Sequence, residues 1–299
     1  MDNLPFNKKG RFYKGNLHTH STVSDGMLTP EAVCAVYQQL GYDFLAITDH
    51  FMAQFEYQIA DTRALRTDNF TTLIGAELHT GKTELGNLWH ILAVGLPLDF
   101  APYPEGETGG EVCARALASG AFVAAAHPYW YILTEGDILS LGDIHAIEVY
   151  NGTSADHNDK PDGWYMSDMM SMRGRLYSTC ATDDAHFHDH RADVGLGWVM
   201  VKSEELSPEA LLEALKRGDY YSSTGPEIYD VQRKGDRIII QSSPADRIFI
   251  TGSGWTARSA YGNGIREAEL SLRGFDSPFM RITVRDAHGG RAWTSPIWL

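Results

Sequence analysis

Apolar runs that read as buried strands end, one after another, in histidine or carboxylate residues along the first two-thirds of this chain. His18-Thr-His20 follows Asn16-Leu17, Asp49-His50 follows residues 44–48, and Glu77-Leu-His79 follows residues 72–76. His127-Pro128 follows residues 121–126, Asp183-Asp184-Ala-His186 follows residues 176–181, and His90 opens the run 90–95. Side chains two residues apart on an extended chain point the same way, so His18 and His20 make one edge of a site. A fold must therefore bring many strand ends together. Imidazole mixed with carboxylate suits zinc, manganese and iron.

Helix signals separate these runs. In residues 29–41, Thr29 suits an N-cap and Pro30 the first turn; Val33, Val36, Tyr37 and Leu40 form one face, and Gly41 stops the helix. Similar segments occupy residues 110–119, 163–172 and 207–216. Continuous apolar strands alternating with helices predict an α/β fold with a covered parallel sheet, most economically a closed barrel. Chemistry in such barrels collects at the C-terminal strand ends. His18 and His90 are the exceptions, expected within or at the start of their strands and pointing inward.

Past Gly225-Pro226 the pattern changes. Short strands at 228–231, 237–241, 247–251, 267–272, 280–284 and 292–298 are joined by Gly-rich turns with no helix between them, which predicts a small antiparallel β-sandwich. The expected organisation is a barrel over 1–226 and a sandwich over 227–299, joined by a segment too short for free relative motion.

Composition excludes several classes. At 299 residues, with 43% apolar and 21% charged residues, the chain is an ordinary globular protein. A formal charge of −14 argues against a nucleic-acid duplex or an anionic membrane surface as partner. No run of about 18 apolar residues is present. The N-terminus lacks an apolar segment after its charges, so a cytoplasmic location is expected. Cys34, Cys113 and Cys180 lie far apart in apolar segments, as reduced buried thiols would.

His18-x-His20, Asp25 in Ser-Asp-Gly, Thr48-Asp49-His50, Glu77, His90, His127-Pro128 and Asp184-Ala-His186 resemble the motifs of the PHP (polymerase and histidinol phosphatase) metal-dependent phosphoesterases. The resemblance spans roughly residues 13–226 and implies a distorted seven-stranded (β/α)7 barrel holding two or three divalent ions, manganese, zinc or iron. It implies His18, His20, Glu77 and Asp184 on a first ion. Glu77 would bridge to a second held by His90 and His127, and Asp25, His50 and His186 would hold a third. The C-terminal sandwich and the segment 187–191 resemble a subgroup some of whose relatives hydrolyse carbamates or other non-phosphate esters.

The residues themselves support hydrolysis. Three divalent ions bring about +6 and the carboxylates Asp25, Glu77 and Asp184 only about −3, which leaves a pocket attractive to a small anionic substrate. A water shared by two ions has its pKa lowered from about 15.7 towards roughly 7, so a metal-bridged hydroxide would be the nucleophile at a di- or trinuclear site. The expected function is metal-dependent hydrolysis of a small phosphorylated metabolite or a nucleotide. Hydrolysis of a non-phosphate ester, carbamate or amide is the alternative, for which Trp89, Trp130, Trp164 and Trp198 offer aromatic lining. A non-catalytic module, its sandwich binding an unknown partner, is the third reading.

Further catalytic candidates are Arg191 as an anion clamp, His188 as a general acid and Asp49 as support for a ligand or a bound water. Tyr129-Trp130-Tyr131 can wall the pocket, and Glu148 and Asn151 face the same rim. His79 and Asp183 are expected to be bystanders.

Overall fold

In the computed structural model, which describes residues 4–299, the capping signal at Thr29 acts as expected. Thr29 accepts from the Ala32 N–H at the start of α1 (Pro30–Gln39). Thr108 and Glu111 cap each other reciprocally at α2 (Gly109–Ala118). Two short helices that carry little periodicity escaped the sequence reading, α3 (Glu135–Ser140) and α4 (Gly152–His157). α5 (Trp164–Met172) follows, then α6 (Pro208–Arg217), whose chain leaves through Gly218 at φ 74°, a conformation that favours glycine. The first three residues of the N-terminal stretch lie outside the described residues. No described helix is long and apolar enough to cross a membrane.

The first part of the chain supplies β1 (Arg11–Asn16), β2 (Phe44–Ile47), β3 (His50–Phe51), β4 (Thr71–Leu78), β5 (Ile91–Val94), β6 (Phe122–Ala125), β7 (Ala146–Asn151), β8 (Ser178–Thr182), β9 (Trp198–Ser203) and β10 (Tyr220–Ser223). Hydrogen bonding runs in the order β10-β9-β1-β2-β4-β5-β6-β7-β8, with β3 beside β4. Strands β2, β5 and β6 are buried at every position, which is why their sequences show no polar alternation. Beyond the strand ends, Thr19 bridges to Ala185, with Asp184 N–H donating to the His18 carbonyl at 2.8 Å and His20 N–H to the Ala185 carbonyl at 2.9 Å. Those bonds draw the ends of β1 and β8 together.

The sheet is mixed rather than all parallel. β5 runs antiparallel to both β4 and β6, and β9 antiparallel to β1. Residues 79–90 between β4 and β5 hold no helix, so the chain turns back beside β4 instead of crossing over. This reversal explains His90: the start of an antiparallel strand falls at the same rim as the ends of its parallel neighbours. His18 and His20 lie past the end of β1, not within a strand.

The remaining strands are β11 (Ile228–Lys234), β12 (Arg237–Thr251), β13 (Ala257–Ser271), β14 (Phe279–Arg285), β15 (Arg291–Thr294) and β16 (Ile297–Trp298), all paired antiparallel. β12 is one 15-residue strand where the sequence suggested two, its ladder with β13 shifting register between Gln241 and Arg247. Gly262-Asn-Gly264, a turn-like sequence, instead lies within β13. Ile248, Ile250, Ile282 and Val284 pack the core of this part. β15 pairs with β10, so the strands form one continuous hydrogen-bonded path through the molecule. All three cysteines are buried and free.

Candidate metal centre

Strand ends deliver the site. His18 and His20 follow β1, His50 opens β3 just past β2, Glu77 is the penultimate residue of β4, and His90 precedes β5. His127 follows β6, while Asp184 and His186 follow β8. His127 (φ 24°) and Asp184 (φ 55°) adopt the left-handed backbone, uncommon for residues other than glycine and concentrated at functional sites. Asp25 comes from the loop after β1. Asp49 holds that loop: its carboxylate accepts from the Ser21 N–H, the Ser21 hydroxyl and the Ser24 hydroxyl, each at 2.7 Å. A Cβ on Gly26 would lie 2.7 Å from the His20 carbonyl, so only glycine lets the loop pass so close.

All nine ligand candidates converge. Their donor atoms lie within 4.8 Å of one another in overlapping groups: His20, Asp25, His50 and His186; His18, His127 and Asp184; His18, His20 and Glu77; Glu77, His90 and His127. Glu77 sits at the centre. Its Oε1 accepts from His90 Nδ1 at 2.8 Å and lies 3.1 Å from His127 Nε2, while His20 Nε2 is 2.9 Å from Asp184 Oδ1. His50 Nε2 and His186 Nε2 face Asp25 at 3.4 and 3.5 Å.

The outer nitrogens of several imidazoles are anchored, which fixes the inner ones. His18 Nδ1 lies 3.0 Å from the Glu148 carboxylate, and His186 Nδ1 donates to the Asp184 carbonyl at 2.8 Å. Glu148 is itself held by the His127 N–H, the Asn151 amide and the Thr182 hydroxyl. Asn151 Nδ2 also reaches Asp184 at 3.1 Å. A carboxylate or carbonyl on the far nitrogen is the usual way a metal-binding imidazole is oriented.

Electrostatics agrees. Burial disfavours ionised Asp184 and Glu77, yet the surrounding imidazoles outweigh it and hold both well below the usual carboxylate range. Burial, then the charges of His186 and His50, lowers His20 to about 3. Burial also opposes charge on His50, but Glu77 and Asp25 raise it to about 10. Four buried atoms here, His18 Nε2, His20 Nδ1, Glu77 Oε2 and His127 Nδ1, have no hydrogen-bond partner. Leaving polar atoms unmet costs about 1–3 kcal/mol each, and the lone pairs of His18 Nε2 and Glu77 Oε2, which face other cluster residues, fit divalent cations.

A cavity of about 240 Å³ opens above the cluster, its mouth formed by Trp130, Tyr131, Thr153, His157, His188 and Arg191. Arg191 and His188 both line it, and Arg191 Nη2 lies 3.2 Å from His157 Nδ1. His157 and Thr153 lie on α4, a short helix directly after β7 that carries too little periodicity to stand out in the sequence. Of the four tryptophans considered for lining, only Trp130 does so. Trp89 is in the core, Trp164 packs on Trp293, and Lys14 lies over Trp198. Tyr129 is not among the lining residues.

His79 is no bystander. It shares parity with Glu77, so both point to one side, and its buried ring lies 3.3 Å from Glu77 and 2.7 Å from His50. The period-two rule that picked out His18 and His20 would have found it. Asp183 does stay off the cluster. It accepts from the Gly195, Leu196 and Gly197 N–H groups and the Tyr37 hydroxyl, and burial lifts its carboxyl to about 6 despite them.

Residues 16–123 match the family model of the PHP domain. No curated protein matches the chain. Among solved structures, a two-domain protein from Bacteroides vulgatus, described as containing a predicted PHP-like metal-dependent phosphoesterase, superposes with a TM-score of 0.53 at 14% identity, over 96% of this chain and 95% of that one. A Bifidobacterium adolescentis protein proposed to be a metal-dependent phosphoesterase gives 0.44 at 14% identity, over 68% and 96% of the two chains. An amidohydrolase from Chromobacterium violaceum, with sulfate and no metal bound, gives 0.44 at 17% identity, over 57% and 87%. The first of these likenesses shows a shared fold along nearly the whole length of both chains.

Proposed function

We propose that this chain, which carries a PHP domain over residues 16–123, is a metal-dependent phosphoesterase that hydrolyses a small phosphorylated metabolite or a nucleotide. The observation that carries the reading is the convergence of three carboxylates and six imidazoles in one cluster, seven of the nine lining the same cavity, with inward lone pairs unmet by the protein. His18, His20, Glu77 and Asp184 would hold one divalent ion, Glu77 with His90 and His127 a second, and Asp25, His50 and His186 a third. Manganese, zinc and iron all suit such ligands. When bound, the ions supply Lewis acidity towards substrate oxygens and lower the pKa of water.

The chain's own residues do the rest. Arg191 at the mouth binds the anionic group of the substrate, a planar donor fork facing paired oxygens. His188, also at the mouth, holds a proton for the departing oxygen. Trp130 and Tyr131 wall off bulk water, and they favour the second reading, a non-phosphate ester or amide with an apolar leaving group. The same proposal takes the first part as a distorted (β/α)7 barrel drawn shut at Thr19–Ala185, residues 227–299 as a small β-sandwich, the substrate as a small anion, and the location as cytoplasmic.

The test is metal content by mass spectrometry together with turnover of p-nitrophenyl phosphate, bis-p-nitrophenyl phosphate and p-nitrophenyl acetate in added manganese. Two or three ions per chain and phosphate-ester turnover are expected. Turnover of the acetate alone would move the assignment to the second reading. Full loading with no turnover of any ester would overturn hydrolysis.

A further inference from the structure

His79 lies outside the nine ligand positions, yet its ring is buried against them. Its Nδ1 is 3.0 Å from the Trp89 carbonyl. A carbonyl only accepts, so Nδ1 carries the hydrogen and Nε2 of the neutral ring is left with a lone pair. That lone pair faces His50 Nδ1 at 2.7 Å. Glu77 Oε2 lies equally close to His50 Nδ1, but only the His79 contact has the geometry of a hydrogen bond, and Glu77 Oε2 is left without a partner.

The backbone holds the two rings in this relation. His50 pairs with Glu77 and Phe51 with Leu78 in parallel register. The Tyr103 hydroxyl staples the strands just beyond, accepting from the His79 N–H at 2.6 Å and donating to the Phe51 carbonyl at 2.7 Å. That bridge fixes the spacing of the two backbones from which the rings project.

We propose that His79 is a positioning residue that sets the tautomer of His50. The Trp89 carbonyl fixes His79 as an acceptor, His79 in turn takes the His50 Nδ1–H, and His50 Nε2 is the nitrogen that would offer its lone pair to an ion held with Asp25, His20 and His186. His18 and His186 are oriented in the same manner by Glu148 and by the Asp184 carbonyl. For His50 the anchor is another imidazole, neutral where a carboxylate would add negative charge beside Glu77. The inference rests on the metal reading above.

Zinc is the probe, because it is diamagnetic. Wild type, His79→Ala and His79→Gln full-length chains are titrated against a chromophoric chelator, and the ring nitrogens are read by long-range ¹H–¹⁵N spectra. In the wild type, His50 is expected to carry its hydrogen on Nδ1. His79→Ala should weaken one ion of the set by about 10–100-fold, the usual cost of losing an outer partner, and leave the others unchanged. His79→Gln, whose amide oxygen accepts the same N–H, should recover most of that affinity. Unchanged zinc affinity in His79→Ala, or a glutamine variant as weak as the alanine one, would overturn the inference while wild-type binding stands. A wild-type chain that takes up no zinc would instead fail the metal reading, and this inference with it.

Discussion

The part of the molecule that holds the metal-type cluster and the part built from β11 to β16 satisfy their polar groups in opposite ways. Strands β2, β5 and β6 are buried at every residue, whereas β12 and β13 carry many exposed positions, with polar side chains in solvent. A strand covered on both faces has only its ends free for chemistry. Correspondingly, every buried side-chain atom without a partner among the described residues lies at or before Asp193, and every non-glycine residue with positive φ at or before Phe187. Unmet hydrogen bonds and uncommon backbone are thus confined to the region that holds the cluster, and four of the nine atoms, together with the backbones of His127 and Asp184, belong to the cluster itself.

Asp184→Asn tests that contrast hardest. The substitution keeps the shape of the side chain but removes a charge on which His18 and His20 both converge at 3.1 and 2.9 Å. Turnover is expected to fall below detection and bound metal to drop, measured together by ester assay and mass spectrometry. A variant as active and as metal-rich as the wild type would contradict the assignment of the cluster. Ile250→Ala probes the other region. Ile250 is fully buried among Ile248, Ile282 and Val284, and truncation there should cost about 2–5 kcal/mol of unfolding free energy. Denaturant midpoints should move while metal content and turnover per folded molecule do not. Loss of metal in this variant would mean that the two regions are not separable.

Much of the cluster was legible because the chain spells it at strand ends. A buried run such as residues 44–47 cannot carry a charged residue internally, so Asp49 and His50 mark where the strand stops. The direction of β5 was hidden, since apolar runs read the same in parallel and antiparallel sheets. Only the helix-free connection before His90 hinted at reversal. His79 shares the parity of Glu77, but it stands just past the end of β4, where alternation is no longer guaranteed. Glu148 was seen at the rim, but its bond to His18 was not, since nothing in the sequence says which imidazole a carboxylate will meet across 130 residues. In the last part, glycines at 262 and 264 looked like a turn, yet β13 carries them inside a strand whose neighbour β12 is also irregular.

The smallest expected effect lies at the join between the two regions. Arg281 on β14 clamps Asp168 on α5 with both ends of its guanidinium, at 2.9 and 3.0 Å, and lies 4.3 Å over the Trp164 ring. Asp168 is 36% exposed, so solvent screens the pair and the gain is that of a surface ion pair, about 1 kcal/mol or less. Arg281→Met keeps an apolar stem on Trp164 and removes only the charge and its hydrogen bonds. A fall in Tm of about 2–4 °C per kcal/mol lost is expected, and a double-mutant cycle with Asp168→Ala should recover a coupling of that size. Metal affinity should not change, because Asp168 lies on α5, on no strand end of the cluster. If the methionine variant released metal, the join would be transmitting strain to the rim, and the division between a strained region and a satisfied one would give way to a single cooperative unit.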